Sequence, residues 1–397
     1  MTALPRDRSR VEFVALMAML AAMSAFGIDA MLPAMPEIAA DLSPTDPNRA
    51  QLILSSFILG MGVGTLFTGP LADTLGRRPV VIGTILLYCA GALITWQSQT
   101  LGMALTGRLI MGLGAAGPRV LTTAIVRDRH SGPDMARLMS FVMVIFMIVP
   151  AVAPAIGAVI IAAAGWRAIF PAFAIFGLVA LVWFGLRQPE TLPPDRRRAL
   201  SLRALTGAVA EMFSHRVVVL SVLVQMLAFG ILFSMLSSVQ GIFDAYDQGE
   251  AFPLWFALIA VVSASASLLN ARLVGRIGML PIVRGMLAVQ IGLSALMLVA
   301  LALPLPRGVE FAMWMVWCCS VFFQGGLVIG NVNAIAMQPV GHIAGLAASV
   351  IAAVSTVGSV VLSVPVGLAF DGTALPLAAG ILVLAVLALG LTLMMRR

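Results

Sequence analysis

Three ionisable side chains, Asp29, Arg108 and Arg119, fall inside long apolar runs of this sequence. A charge at the centre of a membrane helix costs about 2.5–3.5 kcal/mol even on lenient insertion scales, so such residues face a polar interior, a partner or a pathway for ions. A carboxyl group in that setting can exchange a proton, because burial favours its neutral form and a nearby guanidinium favours the ionised one. Asp29 lies one turn before Pro33 in Gly27-Ile28-Asp29-Ala30-Met31-Leu32-Pro33, either within its span or at the external interface. Arg108 and Arg119 are eleven residues apart, which at about 100° per residue brings them to within about 20° of one direction and about 16 Å apart on one helix face. With the first helix running outward and the fourth inward, Asp29 and Arg108 come to comparable depths. Asp29 is therefore expected to carry the proton and to meet Arg108.

These residues need membrane helices to hold them, and the composition supplies them. Hydrophobic residues make up 61% of the 397, charged residues 10%, and the mean hydropathy is +1.05. Such a chain is an integral membrane protein and not a water-soluble domain. Windows of about 20 residues pick out apolar spans near 11–33, 49–72, 80–98, 101–126, 135–162, 167–186, 217–241, 252–274, 281–303, 311–336, 343–369 and 374–395. The first is too long for a signal peptide and reads as a transmembrane helix. The formal charge of +7 comes from 24 arginines with no lysine. Arg49, Arg167 and Arg307 fall in the odd-numbered external loops, while most of the others fall in the alternate connections and at the termini, including Arg6, Arg8, Arg10, Arg396 and Arg397. That bias reports membrane orientation, with both termini cytoplasmic, and not nucleic-acid binding. Cys89, Cys318 and Cys319 lie in apolar spans without metal-ligand spacing and read as packing residues.

The connection from Arg187 to His215, with Pro189, Pro193, Pro194 and Arg196-Arg197-Arg198, divides the chain near its midpoint. It predicts a six-helix bundle over 1–186, a cytoplasmic linker over 187–215 and a second six-helix bundle over 216–397. The halves carry traces of a repeat. Leu71, Gly76 and Pro79 in the loop after span two recur as Leu273, Gly278 and Pro281 after span eight, while Gly275 replaces Asp73 and Met279-Leu280 replace Arg77-Arg78.

That loop, Gly69-Pro70-Leu71-Ala72-Asp73-Thr74-Leu75-Gly76-Arg77-Arg78-Pro79, has the spacing Gly-x-Leu-x-Asp-x-x-Gly-Arg-Arg. It resembles the signature between helices two and three of the major facilitator superfamily. The resemblance implies an all-α fold of twelve transmembrane helices in two pseudo-symmetric bundles that rock about a midplane site. It gives Gly69, Asp73, Gly76, Arg77 and Arg78 a gating role on the cytoplasmic face. Arg108-Leu109-Ile110-Met111-Gly112-Leu113-Gly114 is similar to a second signature of that family, which implies that Arg108 tunes a nearby acid during proton transfer. Pro150-Ala151-Val152-Ala153-Pro154-Ala155-Ile156-Gly157-Ala158 is similar to the kink element of its antiporters, with Pro150, Pro154 and Gly157 kept and alanines at Ala153 and Ala158 where glycines are usual. Ile28-Asp29-Ala30-Met31-Leu32-Pro33-Ala34-Met35-Pro36 and Ala336-Met337-Gln338-Pro339-Val340-Gly341-His342-Ile343-Ala344-Gly345, with Ala124-Ile125-Val126-Arg127-Asp128, resemble the Bcr/CflA branch of drug:proton antiporters. Such a resemblance implies export of small drug-like compounds from a bacterial inner membrane.

An adaptable cavity for such compounds draws on Met and aromatic side chains. Met143, Phe146 and Met147 of span five and Phe229 and Phe233 of span seven are candidates, with Arg119 favouring anionic or acceptor groups. Gln225, Gln324, Asn331 and Asn333 either face the cavity or hydrogen-bond between helices. No cofactor is expected beyond the proton gradient, and the expected partners are protons, a small-molecule substrate and the bilayer around a monomer. A proton-coupled metabolite carrier of the same fold is the alternative. A membrane-embedded enzyme would need clustered Asp, His or Glu, and the sequence offers none.

Overall fold

The computed structural model describes residues 10–197 and 202–395. The basic residues Arg6, Arg8, Arg198, Arg396 and Arg397 lie outside them. Fourteen helices are described: α1 (Arg10–Asp29), α2 (Met35–Leu42), α3 (Leu52–Leu75), α4 (Arg77–Trp96), α5 (Leu101–Arg129), α6 (Gly132–Ala164), α7 (Ile169–Arg187), α8 (Leu202–Ser214), α9 (Arg216–Ala245), α10 (Phe252–Ile277), α11 (Met279–Leu301), α12 (Arg307–Met337), α13 (Ala344–Leu368) and α14 (Leu375–Leu393). All but α8 belong to stretches long and apolar enough to cross a membrane, twelve in all with α1 and α2 sharing the first, matching the expected spans. The described residues contain no strand. Helices are the natural outcome, since in lipid every backbone N–H and C=O must find its partner within the segment.

The repeat read in the sequence has a backbone counterpart. α3 turns into α4 at the single residue Gly76, with φ +105°, and α10 turns into α11 at Gly278, with φ +82°. Both values lie in the region that side chains avoid, which is why glycine survives in the second copy after the charges are gone. The linker is not wholly irregular, because it contains α8. Met212 of that helix is buried with Val218, Ala347, Val350 and Ile351, so α8 is packed onto the second bundle.

Small residues hold α5 tightly between α3 and α4. Gly60 and Gly64 of α3 lie against the carbonyls of Leu109 and Leu113, and Gly112 lies against that of Phe57. On the other side Gly91 of α4 faces Gly107 and Met111 of α5. Without a side chain between them the backbones approach closely, the usual source of helix association in lipid. α5 therefore enters the site as a rigid carrier of Arg108 and Arg119.

The two bundles meet along α3 with α13 and α6 with α10. At the end opposite the arginine-rich loops they close further. Asn48 donates to the carbonyls of Leu368 (3.1 Å) and Phe370 (2.6 Å), across the bundle boundary. The one-turn helix Leu32–Ala34 and α2 contact α9 there, with Leu32, Ala34 and Ile38 fully buried.

Candidate functional site

A cavity of about 350 Å³ lies between the bundles. Ser24, Ile28 and Asp29 of α1, Met61 of α3, Arg119 of α5 and Phe146, Met147 and Pro150 of α6 form the wall from the first half. Phe229 and Phe233 of α9, Phe256 of α10 and Phe322 of α12 stand opposite, with several small residues of α10 and α12 between them. The wall is mostly apolar, and Asp29 and Arg119 are its ionisable groups. Phe229 and Phe233 are stacked, with ring centroids 5.6 Å apart and planes 7° apart. Phe256 and Phe322 meet edge to face at 5.5 Å. Two χ angles per ring make these stiff surfaces against which a flat molecule can lie.

Asp29 is the last residue of α1 and is buried at the cavity wall. Among the described residues no side chain hydrogen-bonds or ion-pairs with its carboxylate. Arg108 does not touch it. The guanidinium is fully buried, with Nη2 3.0 Å from the Gly27 carbonyl, Nε 3.3 Å from that of Ile53 and its centre 4.3 Å above the Phe57 ring. Gly27 carries one of the last four carbonyls of α1, which have no N–H ahead of them in the helix. Arg108 thus caps the carboxyl end of α1, where the helix dipole favours a cation. It ties α1, α3 and α5 together immediately behind the cavity wall that bears Asp29. The expected contact is replaced by one two residues earlier, at the helix end.

Arg119 is accessible and lines the cavity. Nη1 sits 3.2 Å from Met61 Sδ, and no acid pairs with the guanidinium among the described residues. Phe146, Met147, Phe229 and Phe233 line the cavity as expected. Met143 does not: it lies one turn beyond Phe146 toward the arginine-rich end and is 44% exposed. The amides also fall outside the lining. Gln225 and Gln324 are buried between helices with Oε1 unpartnered, and Asn331 donates to Asn270 at 2.6 Å and to the Leu327 carbonyl, linking α12 to α10. Asn333 is half-buried and away from the cavity. Of the four amides, Asn331 is the one that makes an interhelical hydrogen bond among the described residues.

α6 stays helical through Pro150 and Pro154. Ala153, Pro154 and Gly157 are buried along one face, and Gly157 has no room for a Cβ against the Ala30 carbonyl. Each proline lacks the N–H that would bond the carbonyl four residues earlier, so the carbonyls of Phe146 and Pro150 lose their helical donors beside the cavity.

At the loop after α3, Arg77 is buried and bridges Asp73 (2.7 Å) to Asp128 of α5 (3.2 Å). Thr191 donates to the same Asp128 oxygen. Arg78 donates to the Gly185 carbonyl at 2.6 Å. Asp73 is 48% exposed and stays within its own half, whereas Gly69 faces Ser349 Oγ of α13 across the bundle boundary. The residue that sequence reasoning missed is Glu190. Its carboxylate accepts from the backbone N–H groups of Arg77 (2.9 Å) and Arg78 (3.1 Å), the free donors at the start of α4, and from those of Thr191 and Leu192. A Cβ at Gly76 would collide with this carboxylate. The available signal was an acid following the sixth span directly, opposite a loop whose helix start had no cap of its own.

Partial burial of Glu190 would push its carboxyl up, but hydrogen bonds from Leu192, Arg77, Arg78 and Thr191 outweigh it and hold the group below the usual carboxylate range. The stabilisation is then present above the unfolded carboxylate range and disappears as pH falls through the lowered folded value. Glu190→Ala is expected to remove about 1–2 kcal/mol, the range of a lost helix cap, with Glu190→Gln losing less. Thermal unfolding in detergent checks this: the gap between wild type and Glu190→Ala narrows on acidification, and an unchanged melting temperature at neutral pH contradicts the capping role.

A cavity walled by helices of both halves and closed at one end is what a secondary transporter turns from one face of the membrane to the other, and transport is the activity this architecture defines. The chain belongs to the Major Facilitator Superfamily, whose family profile matches residues 17–364. It is 31% identical over 380 residues to a bicyclomycin resistance protein homolog of Haemophilus influenzae, covering 94% of this chain and 93% of that one. It is 32% identical over 197 residues to the multidrug resistance protein MdtL of Salmonella paratyphi B, covering 49% of each. Its fold is similar to a partially occluded inward open conformation of the xylose transporter XylE from E. coli, with a TM-score of 0.74, 13% identity and coverage of 98% of both chains.

Proposed function

We propose that this transporter is a proton-coupled exporter of small amphipathic or lipophilic compounds, acting by alternating access as a monomer in a bacterial inner membrane with both termini in the cytoplasm. The observation that carries the reading is Asp29, a carboxyl group on the wall of a largely apolar cavity with no hydrogen-bond or ion-pair partner among the described residues. Such a group takes up a proton when the cavity faces an acidic medium and gives it up when it faces a neutral one or when cargo displaces it. The arginine bias sets the loop after α3 on the cytoplasmic side. The clasp of Asn48 on Leu368 and Phe370 then closes the external side. Asp73, whose one ion pair among the described residues is with Arg77 of its own half, is in keeping with a cytoplasmic latch released in this state. Relatives named for bicyclomycin and multidrug resistance support a drug-like cargo.

Everted membrane vesicles from a pump-deleted bacterial strain expressing the chain provide the test. A lipophilic dye is expected to accumulate in energised vesicles, to leave when the proton gradient is collapsed, and to release protons from de-energised vesicles on addition. Accumulation that survives loss of the gradient, or dye movement only in the opposite sense, rejects proton-coupled export.

A further inference from the structure

We propose that Arg119 forms an anion subsite and that the preferred cargo is a flat aromatic compound bearing a carboxylate or equivalent planar acceptor; this rests on the transport reading above. Three observations converge on it. The Arg119 guanidinium opens onto the cavity, donates to Met61 Sδ, and pairs with no acid among the described residues. An unpaired cation against apolar walls is costly to keep, and a ligand that supplies the missing anion relieves that cost. Guanidinium geometry also selects planar two-oxygen acceptors, which it binds with two parallel hydrogen bonds.

The second observation is depth. Side chains lean toward the amino end of their helix, and α5 begins at the closed end of the protein, so Arg119 reaches toward the level of Asp29. Met61, its neighbour, is one turn along α3 from Phe57, whose ring lies under Arg108. Asp29 and Arg119 both line the cavity and form no ion pair with each other. The cavity of about 350 Å³ leaves a gap between them that a cargo molecule can occupy. The third observation fills that gap: the parallel Phe229 and Phe233 rings and the Phe256 and Phe322 pair stand on the opposite wall. An aromatic acid can put its carboxylate on Arg119 and its rings along these faces, leaving Asp29 free for the proton.

The test uses the purified full chain with 2-naphthoate and the uncharged isostere 2-naphthamide at neutral pH, measuring equilibrium binding. Wild type is expected to bind the acid about tenfold or more tightly than the amide, as for hydrogen bonds between charged groups. Arg119→Gln is expected to abolish that preference while leaving amide binding and the melting temperature near wild type. Arg119→Lys keeps the charge without the planar fork and is expected to fall between. Equal binding of acid and amide by wild type overturns the proposal, as does an Arg119→Gln variant that weakens both equally; the wild-type comparison decides even if a variant fails to fold. A clear acid preference without proton-driven flux in proteoliposomes keeps the subsite and rejects proton-coupled export, while vigorous flux without acid preference does the reverse.

Discussion

Asp29→Asn is expected to abolish uphill export while leaving the cavity able to bind and exchange neutral cargo. Asparagine keeps the size and the hydrogen-bonding capacity of the side chain but cannot exchange a proton, so the step that links cargo to the gradient is lost. A membrane potential contributes about 2.3 kcal/mol per charge per 100 mV to any step that moves net charge, and the variant can no longer draw on it through Asp29. Everted vesicles should show no energised accumulation and no cargo-induced proton release. Counterflow between preloaded and external cargo should continue, because it needs only the rocking of the halves. Full proton-driven efflux by Asp29→Asn would place the carrier elsewhere in the chain, and cargo binding lost along with transport would make Asp29 a binding group instead.

Arg108→Ala should be the most disruptive single substitution in the first half. It removes a fully buried side chain, leaves the Gly27 carbonyl at the end of α1 without its donor, and opens a void beside Phe57. An unsatisfied buried acceptor and an unfilled cavity together cost on the order of 3 kcal/mol or more. The end of α1 should loosen, and with it the position of Asp29, so transport falls together with the melting temperature. Arg108→Lys can reach one carbonyl but not both, and it should recover part of the stability and little of the transport. A variant with wild-type melting temperature and no proton coupling would show instead that Arg108 acts on Asp29 electrostatically. Wild-type behaviour in both assays would remove Arg108 from the machinery altogether.

The number and places of the membrane helices were legible in the sequence because each is decided locally. About 20 apolar residues cross a bilayer whatever surrounds them, and Gly76 and Gly278 announce tight turns because the backbone there needs φ values open only to glycine. The rarity of charge in the spans singled out Asp29, Arg108 and Arg119 for the same reason: the cost of burying each is a property of the residue and the solvent. The aromatic wall was partly readable too, since Met and Phe supply adaptable apolar contact and Phe146, Met147, Phe229 and Phe233 line the cavity.

Which group meets which was decided by the tertiary structure. α1 and α12 are apolar nearly all round, so no stripe in their sequence reveals which way they are rotated. That is why Gln324 and Asn331 of α12 could be assigned to the cavity and yet pack between helices. It is also why Arg108, set at the right depth for Asp29, bonds to the end of α1 instead: the nearest unsatisfied acceptor was a backbone carbonyl, and side-chain patterns do not show those. Glu190 reaches the start of α4 across 113 positions of chain, and Asn48 reaches Phe370 across 322. Contacts of that range depend on how whole helices pack, through small residues whose value is the space they leave, and only the folded chain fixes them.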